Sequence, residues 1–272
     1  MLAAPTFSVD AARSGFVRID PPGIGDGTAS FRLALRAENP NPFAIKLAAL
    51  DGDLFLQDAR VAAISFRGGI DLPASGSAPL LLDIKVPLGA APALLDTIAA
   101  LVGGGNVGYR VESAVGVELL GTVQRFPRFT LASGRVTTNL VLSAPELSLA
   151  GSELRFESVN SVALTLDLDI ANPGIVGYNV SAPALVLRVG GQEAATGTLQ
   201  GAAVPAAGTA RARLTFRFDP LRLGAALAAQ VQGAAAGVGG LSFSLDGAWN
   251  LEAPGVAALA LQPKKLLEAV IR

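Results

Sequence analysis

The side chains in this sequence best placed for chemistry are mostly carboxylates. Asp51-Gly52-Asp53, with Asp58 nearby, offers oxygen ligands of the kind a hard cation takes. The full calcium-loop spacing is missing, and Asp-Gly is a common hairpin turn, so the segment reads as a turn between strands. Glu112 with Glu118, and Asp167 with Asp169, could be imagined as paired acids for glycoside hydrolysis. Even spacing instead puts each pair on one outward strand face, where solvated carboxylates are ordinary. Gly103-Gly104-Gly105 and Gly237, Gly239 and Gly240 suggest phosphate cradles, but they follow helical segments, and that end of a helix repels anions. The serines lack a Gly-x-Ser-x-Gly element.

Histidine and cysteine are absent, which removes the commonest general base, the commonest transition-metal ligand, thiolates and disulfides. The residues therefore predict no catalytic, cofactor-binding or metal site, and no enzyme. Arg211, Arg213 and Arg217, with Arg222 after them, form a basic stripe that could hold an acidic partner. The expected reading is a strand decorated with charge against edge pairing. Trp249 and Phe216 are expected in a core or a domain interface. Asn179-Val180-Ser181 fits a glycosylation triplet, a frequent coincidence.

These groups have to be positioned by strands. Phe31, Leu33 and Leu35 face one way and Arg32 and Arg36 the other, the period of a half-buried strand. Asn39-Pro40-Asn41-Pro42-Phe43 ends that run: proline cannot donate to a ladder, asparagine bonds neighbouring backbone, and Phe43 is expected to return an anchor to the core. Val162, Leu164, Leu166, Leu168 and Ile170 repeat the alternation up to Asn172-Pro173-Gly174. Other features recur in order. Pro5-Thr6-Phe7 is echoed by Pro145-Glu146-Leu147, and Pro73-Ala74-Ser75-Gly76-Ser77 by Pro205-Ala206-Ala207-Gly208-Thr209. A helical stripe of Leu94, Leu95, Ile98, Leu101 and Val102 is matched by Leu223, Leu227 and Val231 after the Asp219-Pro220 cap.

The 272 residues thus read as two tandem copies of one unit, 1–136 and 137–272, the second with a short C-terminal helix from Lys264 to Arg272 that has no counterpart in the first. Many short strands and one short helix per copy predict a mainly β fold, two tandem antiparallel β-sandwiches of fibronectin or immunoglobulin type. At 51% hydrophobic and 16% charged, the chain is no disordered tail, and a net charge of -1 gives no general attraction for nucleic acid or anionic lipid. The uncharged run from Leu223 to Leu245 is long enough to span a bilayer, but its glutamines, serines and glycines favour a soluble protein. No leader is visible, so the expected location is cytoplasmic, or the cell envelope or periplasm if a leader was removed, with membrane association only in that second case.

The order strand, Asn-Pro-Asn, paired strands, Pro-x-x-Gly-Ser/Thr loop, strand, short helix and closing strands resembles the water-stress-and-hypersensitive-response (WHy) domain of the late-embryogenesis-abundant type 2 family, in a bacterial-like tandem arrangement. Asn39, Pro40, Asn41 and Phe43 are a near match to its motif; the second copy keeps Asn172 and Pro173 and puts Gly174 and Ile175 where the rest would stand. The resemblance implies a non-enzymatic, chaperone-like protein without cofactors, which shields stress-damaged or partly unfolded clients during drying, freezing or oxidation. The alternative is an envelope structural or adaptor module holding a specific protein partner. The motif itself reads as an architectural turn.

Overall fold

The computed structural model describes residues 2–90, 92–136 and 140–271. They form two compact units: residues up to Val141 with Pro254–Val256, and Leu142–Ala253 with Ala257 onward. The join expected at 136/137 abuts residues 137–139, which lie outside the described residues.

In the first unit β1 (Thr6–Val9), β2 (Gly15–Asp20), β3 (Thr28–Glu38), β4 (Ile45–Leu56), β5 (Ala59–Phe66), β6 (Ile70–Leu72) and β7 (Ser77–Pro87) are followed by α1 (Pro92–Val102), β8 (Val107–Leu119) and β9 (Thr122–Val136). All pairings are antiparallel. β3 carries β1 and then β2 along one edge and β7 along the other. β4 carries β5 and β6 along one edge and β8 along the other, and β9 closes outside β8. The alternation read in the sequence supplies the core: Phe31, Leu33 and Leu35 from β3, and Leu47, Leu50 and Leu54 from β4, are buried. Each such side chain contributes roughly 1.5–3 kcal/mol by leaving water. In α1, Leu94, Ile98 and Leu101 share one face and are buried, and Gly104, at φ +77°, ends the helix in the left-handed conformation that costs glycine nothing.

The second unit contains β10 (Glu146–Ser158), β11 (Ser161–Asn172), β12 (Tyr178–Val189), β13 (Gln192–Val204), β14 (Gly208–Phe218), α2 (Ala225–Ala235), β15 (Leu241–Gly247), β16 (Asn250–Glu252), β17 (Leu259–Ala260) and β18 (Lys264–Ile271). β11 lies between β10 and β14; β12 lies between β13 and the broken strand β15–β16, outside which run β18 and β17. Each unit is thus a three-position sheet and a four-position sheet with one helix joining them, an antiparallel β-sandwich of fibronectin-like type. Trp249 and Phe216 are buried in the core of the second unit.

Three expectations need correction. Lys264–Ile271 is a strand, not a helix: β15 offers an open edge, and pairing from Leu241↔Ile271 to Gly247↔Lys264 outweighs a local sequence that suits either state. It also has a counterpart, because β9 closes the first unit in the same way. Asp51-Gly52 lies inside β4 and is not a turn; a Cβ on Gly52 would stand 2.1 Å from the carbonyl oxygen of Glu112, so glycine admits the close approach of β8. The hairpin turn falls instead at Gln57-Asp58, at φ +47° and +64°. Asp219-Pro220 opens a short 3-10 turn, with Asp219 Oδ1 accepting from Leu221 N at 2.9 Å, and α2 proper begins after Gly224.

Candidate functional site

The two Asn-Pro turns are held by dense hydrogen bonding through their buried asparagines. Asn39 follows the last residue of β3, and its side chain is 2% exposed. Its Nδ2 donates to the carbonyl oxygens of Phe43 (2.8 Å), Pro73 (2.9 Å) and Leu72 (3.2 Å), while Oδ1 accepts from Asn41 N and Asn41 Nδ2, both at 2.9 Å. One amide therefore ties the β3–β4 loop to the β6–β7 loop. The backbone completes the joint: Ser75 N donates to Asn41 O at 2.8 Å, and Asn39 N to Gly76 O at 2.8 Å. Ser75 takes a left-handed φ of +50°, and a Cβ on Gly76 would meet Pro73 Cγ at 2.8 Å, which explains the Pro-x-x-Gly spacing.

Asn172 repeats the arrangement. It is 2% exposed; Nδ2 donates to Val176 O (2.9 Å) and Pro205 O (3.2 Å), and Oδ1 accepts from Gly174 N (2.9 Å). Ala207 N donates to Gly174 O at 2.7 Å, Ala207 has φ +44°, and a Cβ on Gly208 would meet Pro205 Cγ at 2.7 Å. Pro40 and Pro173 are exposed and end their ladders by lacking an amide.

The second position of the motif differs. Asn41, 2% exposed, accepts from Ala3 N with Oδ1 (2.8 Å) and donates from Nδ2 to Ala3 O (3.0 Å), so its side chain pairs with the segment ahead of β1 as a strand neighbour would. In the second unit a Cβ on Gly174 would stand 2.8 Å from Ser143 Oγ, so the entering chain itself occupies that space. Phe43 does not anchor the core: it is 37% exposed, and Ile45, 4% exposed, does so instead. Its positional counterpart Val176 is fully buried. Near Phe43 a shallow groove of about 510 Å³ is lined by Ile45, Leu72, Pro73, Leu119 and Leu120. Leu120 is 97% exposed at a left-handed φ of +53° in the β8–β9 turn, a place that glycine or asparagine usually fills.

The carboxylates that invited a cation are held by arginines. Asp51 meets Arg67 at 2.5 Å, which keeps its carboxyl below the usual range. Asp53, 6% exposed, meets Arg60 (2.7 Å) and Arg128 (2.6 Å); burial alone would raise its pKa, and the two guanidinium groups bring it below the usual value. Asp58 lies 3.6 Å from Arg110, which also contacts Glu112 and stacks over Phe55. Glu118 faces Lys46 at 3.8 Å. No cluster of three acidic side chains that could hold a metal occurs among the described residues.

The basic stripe is neutralised across the sheet. Arg213 bonds Asp167 at 2.6 Å, Arg211 bonds Asp169 at 3.3 Å, and Arg217 bonds Glu157 at 3.1 Å. The hydrogen bonds from Arg213 and Arg217 hold the carboxyls of Asp167 and Glu157 below their ordinary range. Gly103 to Gly105 follow α1 and Gly237 to Gly240 follow α2, the wrong ends for an anion. No helix among the described residues is long and apolar enough to cross a membrane.

Residues 34–128 match the family model of late embryogenesis abundant protein. The match runs from within β3 to β9 and so includes the Asn39 turn and the loop it locks. No curated protein matches the sequence. Among solved structures the chain is similar to a protein from Archaeoglobus fulgidus, at 13% identity over 52% of this chain and 100% of that one, TM-score 0.32. It is also similar to red sea bream transglutaminase, at 9% identity over 96% of this chain and 31% of that one, TM-score 0.32. A bacterial adhesin from Mobiluncus mulieris is similar at 9% identity over 90% and 81%, TM-score 0.30.

Sequence reasoning found both asparagines and matched the two Pro-x-x-Gly loops to each other. It missed that each loop is the receptor of its own asparagine, because thirty-odd residues separate the partners. Asp53 with Arg128, and the exposed Leu120, were missed for the same reason: only the folded sheet places them.

Proposed function

We propose that this is a non-enzymatic stress-protection protein, built of two WHy-like modules, that shields partly unfolded proteins from aggregation when water is withdrawn or temperature changes. The observation that carries the reading is the late-embryogenesis-abundant match over residues 34–128. The shared hydrogen bonding of Asn39 and Asn172, and the common strand order of the two units, support the reading of two modules of one kind. Clients are other proteins, held through apolar surface or strand edges without nucleotide, metal or cofactor.

The test is to dry or freeze a labile enzyme with this protein and with an equal mass of an inert globular control. Recovered activity should be higher with the protein. Equal recovery with the control sinks the proposal.

A further inference from the structure

In the first unit, strand β1 is a poor fit to the role of a permanent sheet edge. It has only four residues, and a 3-10 turn over Ala11–Arg13 cuts it off from β2. Asp10, at the start of that turn, makes no side-chain cap. Upstream, the Asn41 amide grips Ala3 at 2.8 and 3.0 Å. The equivalent strand in the second unit, β10, runs 13 residues along β11 and needs no such clasp, since Gly174 stands where Asn41 would. Beneath β1 lies the end of β3, from Leu35 to Glu38, with Leu35 and Ala37 on its buried face.

We propose that β1 is a detachable cover, clasped by Asn41, and that the β3 edge it vacates captures an extended segment of a client chain by strand addition. The occupant's chemistry follows from what it replaces. It is about four residues, extended, with apolar side chains at alternate positions in the places of Phe7 and Val9 and small polar ones in those of Thr6 and Ser8. Segments of that pattern are buried in folded proteins and become available when a client loses structure. The opposite edge of the same sheet is closed to this use. β7 has Pro79 and Pro87 in its ladder with β3, so their missing amides fall on its outer edge, with the charged Asp83 and Lys85 between them. The inference rests on the protective role proposed above and assigns it a surface.

The probe is a fluorescent synthetic peptide of residues 2–10, presented to the full chain. Three proteins are compared: wild type, Asn41→Gly, and the double variant Ser8→Cys with Arg36→Cys. Ser8 and Arg36 are directly opposed and exposed, at a spacing suited to a disulfide, and the chain has no other cysteine. Peptide should bind wild type as a complex with one protein chain. Exchange should be about tenfold faster in Asn41→Gly, as two clasp hydrogen bonds are lost. It should vanish in the oxidised double variant and return on reduction. Equal binding by oxidised and reduced forms overturns the inference, as does bound peptide found only with dimers, which would assign the edge to a second copy. Enzyme protection is measured on the same samples. Protection that persists in the oxidised form overturns capture at this edge and leaves the protective role standing. Peptide exchange as expected, with no protection by any form, upholds the edge and overturns the role.

Discussion

A buried asparagine that joins two loops has no good substitute. Replacing Asn39 or Asn172 by alanine strands several backbone carbonyls and amides in a nearly dry site, so each variant should lose about 3 kcal/mol of stability in its own unit. Denaturant unfolding measures this directly. If Asn39→Ala abolished protection while leaving unfolding unchanged, the turn would be a recognition element and not an architectural one. Asp53 gives a pH signature of its own. Its carboxyl is held below the usual value by Arg60 and Arg128, so the stabilisation is complete at neutral pH and is lost as the solution falls through and below about pH 4. Asp53→Asn should cost about 2 kcal/mol at pH 7 and flatten the acid limb of a stability-against-pH curve. An acid limb unchanged by the substitution would show that Asp53 is not its source.

At the scale of elements the test case is β18. As the outermost strand on β15 it covers a ladder from Leu241 to Gly247 and buries Ile271. Deleting Lys264 to Arg272 should therefore lower the melting temperature of the second unit by roughly 10 °C or more, readable by thermal denaturation. A detachable helix in its place would have been removable without such a loss. The same element shows where sequence reading ends. The runs Phe31 to Ala37 and Val162 to Ile170 announce themselves because one face is buried and period two is imposed on every residue. Lys264-Lys265-Leu266-Leu267-Glu268 carries no such imprint, since an edge strand is half solvated and its state is set by the neighbour it meets. Gly52 failed in the opposite direction: Asp-Gly is a strong turn signal, yet this glycine answers to Ser113 and Glu112 on the adjoining strand, sixty residues away. Local turn chemistry was legible in Asn39-Pro40 and Asn172-Pro173, and the receptors of those turns were not. Phe43 follows the turn where an anchor is expected, yet it stands 37% exposed and the fold gives that duty to Ile45.

For the whole molecule, the proposed capture through a strand edge or an apolar groove should depend little on long-range charge. The net charge is only -1, and the sequence pI is about 5.6. Protection should thus persist in about 0.5 M salt, where attraction between exposed charges is largely screened. A protection assay whose benefit disappears in salt would point to electrostatic recruitment of clients instead. Much of the surface charge is already spoken for, in cross-strand contacts such as Arg213 with Asp167, Arg217 with Glu157 and Arg32 with Asp83. In dilute solution exposed pairs of this kind add little to stability. Their worth depends on the medium, because the same contact scales inversely with the dielectric constant and strengthens about fourfold between bulk water and an effective value near 20. A sheet that carries its counter-ions on the neighbouring strand does not need ions or water from outside to neutralise it. As the surroundings dry, these ladders should pass from ornament to brace, so the protein is expected to stiffen as water is withdrawn.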